Sequence, residues 1–183
     1  ELATKIESGI IWIMGNNESA MNYKDNTYPY RQNSNFLYYF GINQSDLNAV
    51  IDADTGEAIL FGHELTMDDI IWMGEVEKLS SLAEKVGVTN LQSPEKLQSY
   101  IKEYKSKSRN IHYLPPYRLE HFEIIKNILN IDFNAQKENA SIELIKAVIA
   151  QRSIKTAIEI AEMEKSVNIT KAMHLNAMQS TKP

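Results

Sequence analysis

The sequence predicts an α/β fold in which layers of helix and strand enclose one core, and three observations carry that reading. Apolar runs of strand length, Ile10-Ile11-Trp12-Ile13-Met14 foremost, alternate with stretches that repeat apolar residues at helical spacing. Turn and cap residues sit at the borders between them: Ser8-Gly9, Asp54-Thr55-Gly56, Gly87 and Ser93-Pro94. A chain of 183 residues with 43% hydrophobic content suffices for one well-buried domain and a short extra element, whereas two full domains would be cramped.

Taken in order, Glu1 to Glu7 reads as a last helical turn or two closed by Ser8-Gly9. Ile10 to Met14 is a continuous apolar run, which favours a strand covered on both faces. Gly15 to Asn33 is rich in Asn, Asp and Pro and is expected to be an ordered irregular loop. Within Tyr28 to Gly41, the polar residues Arg31, Gln32, Asn33, Ser34 and Asn35 precede the densest aromatic run of the chain, and Phe36 to Phe40 is expected to be a buried strand. The loop either feeds that strand as structure only or shapes a binding surface. Leu47 to Ala53 and Glu57 to Phe61 flank Asp54-Thr55-Gly56 as a hairpin.

Thr66-Met67-Asp68-Asp69 has the layout of a helix start, with a short helix ending at Gly74. Residue chemistry alone makes core filler the default for Trp72, with an exposed aromatic anchor as the other possibility. Leu79 to Val86 is a second short helix stopped at Gly87, and Ser93-Pro94 opens a third running to about Lys107. Its Lys102, Lys105, Lys107 and the following Arg109 read as a solvated face that complements the helix dipole. Asn110 to Leu114 is a strand stopped by Pro115-Pro116, Leu119 to Leu129 a helix, and Ile131 to Phe133 one last short strand. Ser141 caps a helix over Ile142 to Ala150, and Ile154 to Met178 is a long helix without Gly or Pro, suited to opening a further domain.

Several function classes lose support. A net charge of -5 gives no electrostatic footprint for nucleic acid or an anionic membrane surface. The absence of cysteine removes disulfides, thiol catalysis and thiolate metal sites and is compatible with a reducing compartment. No run approaches the roughly 18 apolar residues of a membrane helix, and the N-terminus lacks a signal-peptide layout. Asn17, Asn43, Asn139 and Asn168 begin Asn-x-Ser/Thr triplets, which an Asn-rich sequence produces by chance. His63-Glu64 starts like a zinc-protease motif, but Met67 stands where the second imidazole ligand belongs. Asp52 and Asp54 are explained by the turn they flank, and His112 and His121 lack partners at ligand spacing and read as structural or solvent-facing. Both ends have the look of an excised piece.

The tract Asn16-Asn17-Glu18-Ser19, Tyr28 to Gly41, Leu60-Phe61-Gly62 and Asp68 to Gly74, in that order and spacing, resembles the N-terminal domain of Xaa-Pro aminopeptidases, the bacterial type of the aminopeptidase P, prolidase and creatinase family. Glu143-Leu144-Ile145, Arg152-Ser153-Ile154-Lys155, Glu159-Ile160-Ala161 and His174 to Met178 resemble the segment that links this domain to the catalytic domain and forms its first helix. The resemblance implies a mixed β-sheet flanked by helices, ribonuclease H-like, over residues 1–140. Residues 141–183 would be the linker and opening helix of a pita-bread domain that lies beyond Lys182-Pro183.

That catalytic domain, in the family, holds two divalent metal ions, commonly manganese, through two Asp, one His and two Glu, and a metal-bridged hydroxide attacks the peptide bond before proline. The resemblance therefore implies no catalytic or metal residue in this chain and no hydrolysis by it alone. What it does imply is subunit association and shaping of the substrate cleft. Trp72, in the Ile-Trp-x-Gly motif, would contribute to a neighbouring subunit's cleft, and Arg31, Gln32, Asn33, Asn35 and Phe36 would form a structural loop bordering it. The implied partners are the chain's own catalytic domain, other subunits of a homo-oligomer and proline-containing peptides, with no nucleic acid and no membrane, and the implied location is cytoplasmic. The other class left open is a non-enzymatic peptide- or protein-binding module, since some pita-bread relatives lack the metal ligands.

Overall fold

Every side chain of the run Ile10–Met14 is buried, so the strand it forms, β1, needs a covering layer on both faces and neighbours on both edges. It pairs antiparallel with β2 (Asn48–Asp52) and parallel with β5 (Ile111–Tyr113). Next to β2 runs antiparallel β3 (Ala58–Phe61), and β3 pairs parallel with β4 (Asn90–Gln92). The computed structural model describes residues 1–74 and 77–182. Among these, five strands form one mixed sheet in the order β4-β3-β2-β1-β5, flanked by helices. Two compact units are present, Glu1–Ala147 and Val148–Pro183.

Strand alternation divides the buried residues between the faces. Ile10, Trp12, Met14, Val50, Ile59, Phe61 and Tyr113 pack with Leu97 and Ile101 of α4 (Glu95–Ser106) and with Ile125, Ile128 and Leu129 of α5 (Leu119–Leu129). On the opposite face Ile11, Ile13, Ala49 and Leu60 are equally buried. Full burial of each such side chain contributes roughly 1.5–3 kcal/mol, so β1 is where the fold gains most per residue.

The aromatic stretch is a helix, not the strand its composition suggested. In α1 (Ser34–Phe40) the Asn33 side chain accepts from the Asn35 and Phe36 amides, and Gly41 closes the helix in the left-handed region at φ 65°. Phe36 and Phe40, one turn apart, bury their rings 5.1 Å from each other, while Leu37 and Tyr38 face solvent. A strand would have buried alternate residues instead. Ile131 to Phe133 is likewise no strand: after Asn130 turns the chain in the left-handed region, Phe133–Gln136 forms the short helix α6. The N-terminal turn is a 3-10 turn over Ala3–Lys5.

The hairpin is built by Asp52, whose carboxylate accepts the Asp54 and Thr55 amides, with Gly56 at φ 77°. Asp52 also accepts from Tyr104 (2.9 Å) and Arg109 (3.1 Å), and Arg109 pairs with Asp54 as well. Turn chemistry and one guanidinium thus account for both carboxylates. The expected solvated basic face is partly committed too, since Lys107 pairs with Glu103 and Lys105 donates to the Leu129 carbonyl.

The remaining helices are α2 (Met67–Met73), α3 (Leu79–Lys85), α7 (Ile142–Ser153) and α8 (Ala157–Ser180). Ser141 caps α7 through its hydroxyl, which accepts the Leu144 amide and meets His112 Nδ1 at 2.7 Å. In the second unit, α8 opens with a Thr156–Glu159 capping box and buries none of its side chains.

His112 and His121 are both buried and structural. Helix α5 is tied to the end of β1 by His121, whose Nε2 donates to the Gly15 carbonyl at 2.8 Å. Burial pushes this imidazole below its ordinary value of 6.5, outweighing the Gly15 bond and the nearby Glu120. An imidazole whose folded pKa is depressed is neutral in both states at high pH, and its charging favours the unfolded chain below the unfolded pKa. Unfolding free energy should therefore fall as pH drops from 6.5 toward about 5, above the carboxylate range, and His121→Gln should flatten that slope in denaturant titrations.

Candidate functional site

The loop that follows β1 has almost no regular secondary structure to pair its backbone, so side chains must do it. Gln32, 3% exposed, does most. Its Oε1 accepts the Asn16 and Asn33 amides, both at 2.8 Å, while Nε2 donates to the Gln44 carbonyl at 2.7 Å and the Ile42 carbonyl at 3.4 Å. One amide group thereby joins the exit of β1, the start of α1 and the segment after α1.

Around it the same segments are tied again. Asn16 Nδ2 donates to the Arg31 carbonyl at 2.9 Å, and the Asn16 side chain meets the Tyr117 hydroxyl at 3.3 Å. The Tyr30 hydroxyl lies between the Asn16 and Gln44 carbonyls, at 3.1 and 3.0 Å. Burial, reinforced by Asp46, raises the Tyr30 phenol well above its usual value and keeps it a donor. Arg118 pairs with Glu120 and donates to the Asn17 carbonyl and, at 2.6 Å, to the Ser19 hydroxyl. Gly15 must remain glycine, because a Cβ there would stand 2.6 Å from the Leu47 carbonyl oxygen.

The residues singled out from sequence thus divide. Gln32 and Asn33 are buried and bond backbone, Phe36 is core, Asn35 is half-buried, and Arg31 offers its carbonyl to Asn16 while its side chain is exposed. Trp72 belongs to a different feature. Helix α2 is started by a capping box in which Thr66 and Asp69 bond each other's backbone, and it ends at Gly74 with φ 83°. None of its described side chains is buried: Met67 and Ile71, one turn apart, are each 71% exposed and Trp72 is 87% exposed. The core reading of Trp72 therefore gives way to an exposed apolar ridge.

Topology sets where these features lie. Because β1, β3, β4 and β5 all run antiparallel to β2, their carboxyl ends share one edge of the sheet. The Gln32 loop leaves that edge from β1, the α2 segment from β3 and Tyr117 from β5. In α/β sheets this is the edge where ligand-facing loops gather.

A family model described as aminopeptidase P, N-terminal domain, matches residues 1–112. The chain belongs to this family. Human Xaa-Pro dipeptidase is 29% identical over 101 residues, which are 55% of this chain and 20% of that protein. A probable Xaa-Pro aminopeptidase of Metarhizium acridum is 22% identical over 175 residues, 96% of this chain and 34% of the relative. Among solved structures, Escherichia coli aminopeptidase P with the inhibitor Pro-Leu superposes with a TM-score of 0.78 at 23% identity, over all of this chain and 43% of that one. The aminopeptidase P N-terminal fold is thus shared, and this chain spans a fifth to about a third of the curated relatives it matches. No group of three or more His, Cys, Asp or Glu side chains that could hold a metal ion is gathered among the described residues.

Sequence reasoning passed over Asn16, Tyr30 and Tyr117 as partners, because their contacts join residues far apart in the chain. Removing the Gln32 amide takes a partner from four backbone groups, of which the Gln44 carbonyl keeps the Tyr30 hydroxyl. Gln32→Ala should cost about 3 kcal/mol of unfolding free energy, measured by urea titration, and Gln32→Glu should also destabilise because a carboxylate would face the Gln44 carbonyl.

Proposed function

We propose that this chain is the non-catalytic N-terminal domain of a metal-dependent Xaa-Pro aminopeptidase, serving subunit association and the shaping of a substrate cleft. The observation that carries the reading is the exposure of Trp72 on a helix with no buried described side chain. Exposing such an indole beside Ile71 costs hydration free energy unless something covers it. A neighbouring subunit's cleft supplies that cover, and the indole supplies a flat apolar wall for a proline-containing peptide with little rotamer entropy lost. The polar loop of Arg31, Gln32, Asn33, Asn35 and Phe36, leaving the same sheet edge, borders the cleft as a rigid rim.

In this reading the domain proper is residues 1–140, and 141–183 link it to a catalytic domain. The exposed Ile158, Met163, Val167, Ile169 and Met173 of α8 support that role, since they need a further apolar partner. Two divalent ions, manganese by family resemblance, would polarise the scissile carbonyl and supply the hydroxide in that catalytic domain. Among the described residues no helix is long and apolar enough to cross a membrane. A cytoplasmic location rests on the resemblance alone.

The test is Trp72→Ala in the polypeptide that joins this chain to its catalytic domain. kcat/KM for Xaa-Pro peptides should fall about tenfold or more while metal content stays constant. Unchanged kinetics would remove Trp72 from the cleft, and a wild-type protein that binds peptides without cleaving them would make the domain part of a binding module.

A further inference from the structure

The capping position before α3 is Lys78, a residue with no side-chain acceptor, so the helix has no cap of its own. Its first amides are instead taken by Glu64, from the other side of the α2 segment: Oε2 accepts the Leu79 amide at 3.0 Å and Oε1 the Ser80 amide at 2.7 Å. One carboxylate, with an oxygen on each amide, closes the chain where it leaves the sheet after β3 onto the point where it returns to the core at Leu79, which is fully buried.

Helix α2 hangs between those two points. With none of its described side chains buried, it has little packing to fix its position. Its inward residue Ile70 and the preceding Leu65 are half-buried and line, with Glu64, Lys78, Ser80 and Ser81, a groove of about 690 Å³ beside the α3 start. We infer that Glu64 is a positioning residue for Trp72: its carboxylate, bound across the start of α3, fixes the base from which α2 carries the indole. The role assigned to Trp72 rests on the proposed function, but the clasp itself is a property of this chain. The charge belongs there, because a helix N-terminus stabilises an anion. Burial alone would raise the Glu64 carboxyl, yet the Ser80 and Leu79 bonds and Lys78 outweigh it and hold it below the usual carboxylate value.

The experiment labels both tryptophans with 5-fluorotryptophan and reads their fluorine resonances in the wild-type chain, Glu64→Ala and Glu64→Gln, with amide exchange at Leu79 and Ser80. Trp12, fully buried in β1, is the internal control. In Glu64→Ala the Trp72 line should narrow about twofold as α2 gains independent motion, and both amides should exchange about tenfold faster, with Trp12 unchanged. Glu64→Gln, which keeps one acceptor oxygen, should fall between. Faster amide exchange with an unchanged Trp72 line would make Glu64 a helix cap only and overturn the inference, as would no change in either readout. If Glu64→Ala also moves Trp12, Glu64→Gln decides by the same readouts. Because position and not turnover is measured, this result is separate from whether Trp72 meets a substrate.

Discussion

The Gln32 side-chain amide is the contact on which the loop architecture depends. Four backbone groups from three segments converge on one planar group where water has little access, and the Gln44 carbonyl among them is also met by the Tyr30 hydroxyl. A hydrophobic side chain could fill the same volume but would satisfy none of them. Asn16 and Tyr30 close further bonds between the same segments, so the loop after β1 is held as firmly as an element of regular structure. Rigidity of this kind suits a rim against which something else is positioned.

The mixed sheet converts that local order into a surface. With four strands pointing one way, the polar rim from β1, Tyr117 and Arg118 from beyond β5, and the α2 segment from β3 share an edge, although 101 residues separate Asn16 from its partner Tyr117. The rim is over-determined, whereas α2 is capped within its own first turn by the Thr66–Asp69 box and flanked by the Glu64 clasp, which joins the chain before it to the start of α3. A stable frame and a lightly held aromatic are what the proposed presenting role asks of this member of the aminopeptidase P N-terminal family.

What the sequence made legible were features written locally. Ile10–Met14 is apolar throughout and is buried throughout; Asp54-Thr55-Gly56 has turn chemistry and turns; Thr66 and Asp69 stand at capping-box spacing and cap. The aromatic stretch misled because Phe and Tyr favour strands on average, while the deciding signals were Asn33 before it, Gly41 after it and the one-turn spacing of Phe36 and Phe40. Strand β4 is only three residues long and owes its pairing to β3, so no periodicity announces it. Glu64 was unreadable for a different reason: its partners lie 15 and 16 residues away, across a helix, and only the want of an acceptor at Lys78 hinted that α3 drew its cap from elsewhere.

The central claim is that Trp72 of one subunit serves the site of another, and a mixed oligomer tests it most directly. Subunits carrying Trp72→Ala are combined with subunits whose catalytic domain has lost its metal ligands, so that neither parent alone is fully active. The account predicts that mixing restores Xaa-Pro hydrolysis, because the metal-deficient subunit still presents Trp72 to its neighbour's intact site. Mixed oligomers that form, as shown by native mass spectrometry, yet recover no activity would contradict it.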